Sequence, residues 1–360
     1  CPRRHRPGGT VNPTDTGLKA AVAGATGYVG GELLRLLSDH PRIADVRGFS
    51  TTAAGRPWSE IHPNFLNRPD QPVFDAFDAG RVGEWADIVF LALPHGESQL
   101  IIEAIEEGSP ELVVDTAADF RLNDLDLAEG AYGEHQKPEL LGSFANGLAD
   151  IEADALAGAT RIAVPGCFAT ATMLSLWPLA SVLSAESHPV CWAATGSSGS
   201  GANAKTTTHH PFRAHNFYGY SLGGHRHEAE LEERLSEWCG PSAPSCSLLT
   251  HSAPMIRGIH ATLRVRLADP VDEPMELLYA AYSDRPFVHA LDQPPRLASV
   301  VGTNHAHIHA VARDDGHEVL VLTVIDNLIK GAAGQAVQAM NLSFGFTETA
   351  GLEQMGIAPC

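Results

Sequence analysis

KAAVAGATGYVGGELLRLL, residues 19–37, decides the architecture. Lys19 to Ala23 is a short apolar run of strand character. Gly24, Gly27, Gly30 and Gly31 follow, and then Leu33, Leu34, Leu36 and Leu37 at helical spacing. Strand, glycine turn and helix in that order open a dinucleotide-binding fold. The glycines let the backbone approach a pyrophosphate, which sits on the unpaired amides of the helix N-terminus. Gly24, Thr26, Gly27, Tyr28, Val29 and Gly30 are therefore candidate cofactor contacts. The spacing is GxxGxxG rather than GxGxxG, so the flanking strand and helix carry the reading.

Working outward, Asp45 to Ser50 is a second strand, and no acidic residue stands at its tip to hold a free ribose 2'-hydroxyl. Ser50, Thr51, Thr52 and Arg56 can instead receive a 2'-phosphate, which favours NADP over NAD; the plainer reading is a polar loop. Asp87 to Leu93 is a buried parallel strand running into Pro94 and His95 at its carboxyl end, where ligands bind in such sheets, so Leu93, Pro94 and His95 line the cofactor cleft. Glu111 to Asp115 is the next strand. Arg121 beyond it either forks onto a phosphate or pairs with a neighbouring Asp.

The second informative stretch is VPGCFATATM, residues 164–173. An apolar strand from Arg161 stops at Pro165-Gly166 and a helical pattern begins, which puts Cys167 at a helix N-terminus. Backbone amides and the helix dipole there shift a thiol toward its reactive thiolate, although most single cysteines are small buried hydrophobes. Val190 to Thr195 is another strand, followed by the Gly/Ser-rich loop 196–205, either a flexible linker or a phosphate-cradling nest offering Ser198 and Gly199. His225-Arg226-His227 opens an amphipathic helix; two histidines at i and i+2 with no third ligand nearby speak against a metal and fit a base with an orienting neighbour.

From Ser247 the pattern turns to β, with Ser247 to Thr250, His260 to Leu267, and two strands flanking the hairpin signal Asp314-Asp315-Gly316. Antiparallel strands after a parallel half mark a second domain. Asn327 to Met340 reads as a long helix whose Gly331 and Gly334 allow close approach to a cofactor, or equally tight helix packing. The expected class is α/β: a Rossmann-type NADP-binding domain plus an α+β domain with a mixed or antiparallel sheet.

The chain has 360 residues, enough for two ordinary domains, with 44% hydrophobic and 19% charged residues. No apolar run is long enough to span a membrane. The N-terminus is basic but lacks an apolar segment, so it reads as a disordered leader rather than a signal peptide, and Val11 is a candidate start from an alternative codon. Six cysteines without zinc or redox spacing indicate free thiols in a reducing cytoplasm. Net charge is -19, and the lysines are only Lys19, Lys137, Lys205 and Lys330, so nucleic acid would be repelled. Such a surface suits a salt-rich cytoplasm; codon bias toward arginine would produce the same lysine scarcity.

GATGYVGGELLRLL, LALPHG, DTAADFRL, VPGCFATATM, GSSGSGANAK, GGHRHEAEL, APMIRGIHATL and IDNLIKGAAGQAVQAMN stand in an order that resembles the N-acetyl-gamma-glutamyl-phosphate reductase family, related to aspartate-semialdehyde dehydrogenase. The likeness runs from about Leu18 to the C-terminus. HPNF, YGEHQKPELL and GHRHEAE also resemble the sister reductases acting on carrier-protein-linked aminoadipyl phosphate. The resemblance implies NADPH-dependent reductive dephosphorylation in arginine biosynthesis. Cys167 would form a thioester, His227 would serve as acid/base with His225 as runner-up, and Arg121, Arg226 and Ser198 would meet substrate and phosphate. It implies a leader at 1–17, an NADP-binding domain at 18–165, a catalytic and dimerisation domain at 166–326, and a segment at 327–360 returning to the NADP-binding domain. A cytoplasmic homodimer or homotetramer acting on a small-molecule acyl phosphate is expected.

Thr51 stands where the family usually has Arg, and Asn146-Gly147-Leu148-Ala149-Asp150 where relatives often read Tyr-Gly-Leu-Pro-Glu. A short-chain-type reductase would need Tyr-x-x-x-Lys, which the chain lacks; a non-enzymatic NADP(H) sensor would need no reactive thiol. The acidic carriers of the sister pathway call for a basic docking patch, and no basic run exists beyond Arg3-Arg4-His5-Arg6. A free N-acylated glutamyl phosphate is therefore favoured over a carrier-linked one.

Overall fold

The computed structural model describes residues 17–357; residues 1–16 of the expected leader lie outside them. Seven strands form a first sheet: β1 (Leu18–Ala23), β2 (Ile43–Ser50), β3 (Asp75–Ala76), β4 (Ile88–Leu91), β5 (Leu112–Asp115), β6 (Ala145–Asn146) and β7 (Arg161–Ala163). Their order is β3-β2-β1-β4-β5-β7-β6, and every pair is parallel. Every residue of β4 and β5 is buried: Ile88 to Leu91 and Leu112 to Val114 as continuous apolar runs require when helices cover both faces, and Asp115 with them at the end of β5. Leu33, Leu34, Leu36 and Leu37 of the helix Tyr28–Ser38 pack on one face; Val82, Ile102 and Ile105 pack on the other.

Strand order reverses between β1 and β4, so their carboxyl ends open a crevice there. Gly24 sits at its edge with φ +77, a conformation that favours glycine. A Cβ on Gly30 would lie 2.5 Å from the Gly24 carbonyl oxygen and 2.7 Å from Cα of Ala25, which explains why the turn needs glycine there.

A second sheet comprises β8 (Val190–Thr195), β9 (Tyr218–Tyr220), β10 (Ser247–Ser252), β11 (Ile259–Arg266), β12 (Val288–Ala290), β13 (Ala306–Arg313) and β14 (Glu318–Ile325), in the order β12-β13-β14-β11-β8-β10-β9. It is mixed: β8–β10 and β12–β13 are parallel, the other pairs antiparallel. Asp314, Asp315 and Gly316, all at positive φ, close the β13–β14 hairpin. The helix Cys167–Leu176 is buried from Phe168 to Leu176 and shares a core with Cys191, Ala193, Ile259, Ala261 and Leu263 of this sheet.

The segment from Asn327 is not the single regular helix expected. A π-helical turn over Ile329–Ala333 precedes the α-helix Gly334–Ser343. Asp326 causes the widening: its Oδ1 accepts from the amides of Leu328 (2.8 Å) and Ile329 (3.1 Å), and its carbonyl from the Gly331 amide (2.9 Å). Ile329, Ala333, Ala336, Val337 and Met340 then join the core built by Leu33 and Leu34 of the first sheet. Lys330, fully buried, pairs with Asp150 and donates to Gln338 Oε1 at 2.8 Å, while Gln338 Nε2 donates to Asp150 Oδ1 at 3.1 Å. The Asp at the end of the divergent Asn146–Asp150 stretch thus serves as counter-ion to Lys330.

Gly30→Ala should destabilise the protein by ~1–3 kcal/mol, because backbone rather than a flexible side chain blocks the methyl group. Urea unfolding checks the stability, and NADPH titration should show weakened binding in the same variant.

Candidate active site

A cleft of about 1300 Å³ runs from the crevice of the first sheet to the start of the helix Cys167–Leu176. One end is lined by Gly24, Thr26, Gly27, Tyr28 and Val29, with Leu93, Pro94 and His95 opposite. The helix Tyr28–Ser38 begins without a side-chain cap and without an acidic residue in its first turn, leaving its N-terminus suited to an anion. The other end is lined by Arg121, Cys167, His225, Arg226 and His227, with Ser198, Gly199, Asn327 and Gly331 between. Gly30, Ser50, Thr51, Thr52, Arg56 and Gly334 do not line it. Ser50 Oγ accepts from the amides of Thr52 and Ala53, both at 3.2 Å, and Arg56 pairs with Glu60 at 2.9 Å. A Cβ on Gly334 would meet Ile329 and Asn304, so that glycine serves helix packing, whereas one on Gly331 would come within 2.6 Å of the Cys167 Cβ.

Cys167 begins its helix, but the expected thiolate does not follow. The residue keeps partial exposure to the cleft, yet protein crowds its sulfur, and burial pushes the thiol up to about 11. Arg121, a Phe168 amide and Arg226 pull the other way without prevailing, and Glu230 adds to the rise. The helix N-terminus therefore does not suffice, and a base is needed.

His227 is the histidine beside the start of this helix. A Cβ on Gly166 would lie 2.4 Å from its Cε1 and Nε2, so the ring rests against the residue preceding Cys167. It is buried, its Nδ1 has no partner, and burial followed by the nearby His225 holds its pKa well below the usual imidazole value. The His227 amide donates to His225 Nδ1 at 3.2 Å, and the two rings lie 4.6 Å apart. Burial and Arg226 bring His225 down to about 4. His95 falls to about 3 through burial and the charges of Arg226 and Arg121; its Nδ1 accepts from the Ala118 amide at 3.0 Å, so the neutral ring carries its proton on Nε2.

Arg121 is occupied. Nε donates to the Val164 carbonyl (2.8 Å), Nη2 to the Thr116 carbonyl (3.0 Å) and Nη1 to Glu230 Oε1 (3.2 Å). Its partner is thus Glu230 rather than a neighbouring Asp. Glu230 also accepts from Tyr132 Oη (2.8 Å) and, through Oε2, from the Gly166 amide (2.8 Å). Arg226, by contrast, is exposed to the cleft over the Tyr132 ring, 5.8 Å from its centroid, with no carboxylate beside it among the described residues. Glu230 and Tyr132 are the residues that sequence reasoning missed. The signal for Glu230 was its place three residues after His227, one helical turn on.

Two pH effects follow. Alkylation of Cys167 by iodoacetamide in the free enzyme should accelerate about tenfold per pH unit from pH 7 toward 10, since only the thiolate reacts; a flat profile would contradict the raised thiol. In the unfolded chain His95, His225 and His227 titrate near 6.5. Below that value the unfolded state takes up protons that the native state refuses, so their contribution is complete above pH 6.5 and is lost as pH falls toward 4. Asp115, held protonated up to about 7 by burial and by Asp119, acts in the opposite sense, as do Glu237 and Glu348, whose carboxyls burial raises. Burial also lowers His40, His62, His260, His289, His305 and His307, which act in the same sense as the three site histidines. Thermal unfolding midpoints should therefore fall between pH 6.5 and 4.

Residues 19–159 match the family model described as semialdehyde dehydrogenase, NAD binding domain, and residues 167–327 the one described as semialdehyde dehydrogenase, dimerisation domain. N-acetyl-gamma-glutamyl-phosphate reductase of Nitrosococcus oceani is 40% identical over 346 residues, covering 95% of this chain and 100% of that protein. The reductase of the same name from Halothermothrix orenii is 36% identical over 348 residues, again 95% and 100%. Among solved structures, aspartate semialdehyde dehydrogenase II from Vibrio cholerae superposes with a TM-score of 0.69 at 17% identity, over 91% of this chain and 98% of that one. Aspartate semialdehyde dehydrogenase with NADP from Candida albicans gives 0.62 at 17%, with the same coverage. These two show the fold.

Proposed function

The chain belongs to the N-acetyl-gamma-glutamyl-phosphate reductase family, and from that membership we propose that it reduces free N-acetyl-gamma-glutamyl phosphate to N-acetylglutamate 5-semialdehyde with NADPH, releasing phosphate. The observation that carries the reading is one cleft joining an uncapped glycine-turn helix to a helix-start cysteine with a histidine against the preceding residue. Gly24, Thr26, Gly27, Tyr28 and Val29 would hold the dinucleotide; the open helix N-terminus and the close approach at Gly24 suit its pyrophosphate.

In this reading His227 takes the Cys167 proton and the sulfur attacks the acyl carbon. The carbon–oxygen bond to phosphate breaks, phosphate departs as its hydrogen-phosphate form with one proton taken from solvent, and a thioester with Cys167 remains. Bound NADPH supplies hydride to that carbon. The carbon–sulfur bond then breaks and His227 returns the proton to Sγ. Support for His227 comes from its neutral imidazole and its edge against Gly166. Arg226, unpaired and cleft-exposed, receives the phosphoryl group, with Arg121 holding the turn behind it. The match to a dimerisation domain over residues 167–327 supports assembly through the second half of the chain, as a homodimer or homotetramer.

His227→Ala should lower kcat by ~10²- to 10⁴-fold with little change in NADPH affinity; His225→Ala proving the more damaging would exchange their roles. Purified protein should run the reverse reaction on free N-acetylglutamate 5-semialdehyde with phosphate and NADP. Activity seen only with a carrier-linked semialdehyde would overturn the choice of substrate.

A further inference from the structure

Three arginines are buried among the described residues: Arg121, Arg213 and Arg234. Arg121 faces Glu230, and Arg234 lies among Glu152, Glu233 and Glu237. Arg213, only 7% exposed, has no carboxylate partner among the described residues. Its Nε is without any hydrogen-bond partner, and its one bond is a long donation from Nη2 to the Thr195 carbonyl at 3.3 Å. A buried guanidinium held this way is costly, because its desolvation is not offset by an opposite charge. In a chain with 43 acidic residues against 24 basic ones, the missing partner is not for want of carboxylates.

Arg213 does not itself line the cleft, but the residue it bonds, Thr195, does. Thr195, Ser252 and Tyr218 pair side by side across β8, β10 and β9, and all three line the cavity that holds Cys167. By register these three hydroxyl-bearing residues stand in one row, with the Tyr218 hydroxyl donating to the Thr207 carbonyl at 3.4 Å and Arg213 bonded to the Thr195 carbonyl. Tyr220, also a lining residue, feels both ends: burial and then Cys167 raise its pKa, while Arg213 lowers it. A carboxylate four carbon–carbon bonds from the acyl carbon, roughly 5 Å away, is a group that a substrate seated at Cys167 would carry toward this wall.

We propose that Arg213, with the hydroxyl row of Thr195, Ser252 and Tyr218, forms the subsite for the substrate's α-carboxylate and so sets specificity for an N-acylated amino acid rather than a simple acyl phosphate. This rests on the function proposed above. Arg226 takes the phosphoryl end and Arg213 the carboxylate end, which divides the two anionic groups between two cations.

The test compares N-acetylglutamate 5-semialdehyde with its α-carboxamide analogue in the reverse reaction with NADP and phosphate. Wild type should prefer the carboxylate by at least ~30-fold in kcat/KM, as expected when a buried charge loses its partner. Arg213→Met should lose that preference through KM for the semialdehyde, with KM for phosphate unchanged. Without substrate, the variant's Tm should equal or exceed that of wild type, since an uncompensated buried charge has been removed; a purely structural arginine would give a lower Tm. Equal use of both analogues by wild type, a comparison that needs no variant, overturns the proposal, as does a preference retained in Arg213→Met. If wild type turns over neither analogue, the functional reading fails on its own, and thermal shift with N-acetylglutamate decides the subsite. Stabilisation of wild type but not of Arg213→Met supports it; equal or absent stabilisation overturns it.

Discussion

The Glu230 carboxylate accepts hydrogen bonds from Arg121, Tyr132 and the Gly166 amide, three groups from separate stretches of chain. Arg121 in turn holds the Val164 carbonyl. The turn before Cys167 is therefore gripped at its carbonyl by a cation and at its amide by an anion. Neither grip stands alone, because each charge is buried and depends on the other for compensation. Arg121 and Tyr132 come from the half containing the first sheet, Glu230 from the half containing the second. The position of Cys167 is thus a property of the junction between the two halves.

Burial is what keeps the thiol neutral: crowding around the sulfur outweighs Arg121, the Phe168 amide and Arg226, and Glu230 adds to the rise. A neutral thiol reacts slowly with oxidants. In the proposed reaction the histidine against Gly166 would supply the proton acceptor that these surroundings withhold.

The longer strands of both sheets were legible from sequence because their signals are local: apolar runs of strand length, a glycine turn with helical leucines behind it, and the Asp314-Asp315-Gly316 turn. The edge strands β3, β6, β9 and β12, two or three residues each, are too short to carry such a pattern. Cys167, His225 and His227 could be picked out because motif position identified them. What stayed hidden depends on distant pairing. Nothing around Arg121 announces that its partner is Glu230, 109 residues on, nor around Asp150 that it answers Lys330, 180 residues on. The protonation of Cys167 was misjudged because dipole and amide effects can be read from a helix start, whereas desolvation depends on what the rest of the chain packs around it. The widened turn at Ile329–Ala333 arises from the Asp326 side chain and carbonyl together, and a regular helical pattern conceals it.

The core of the first sheet is completed by Ile329, Ala333, Ala336, Val337 and Met340, with the whole second sheet between them and β7. On the ribosome, the nucleotide-binding half therefore emerges with one flank bare and must wait while all of β8 to β14 is synthesised. At ~5–20 residues per second that interval lasts many seconds, long compared with hydrophobic collapse. The second sheet can assemble first around its own core, leaving the earlier-made half to close last. Vectorial synthesis thus runs opposite to the order in which the two halves can be finished, and the nascent chain has most need of chaperone cover on the face that Leu33 and Leu34 present to the absent helix.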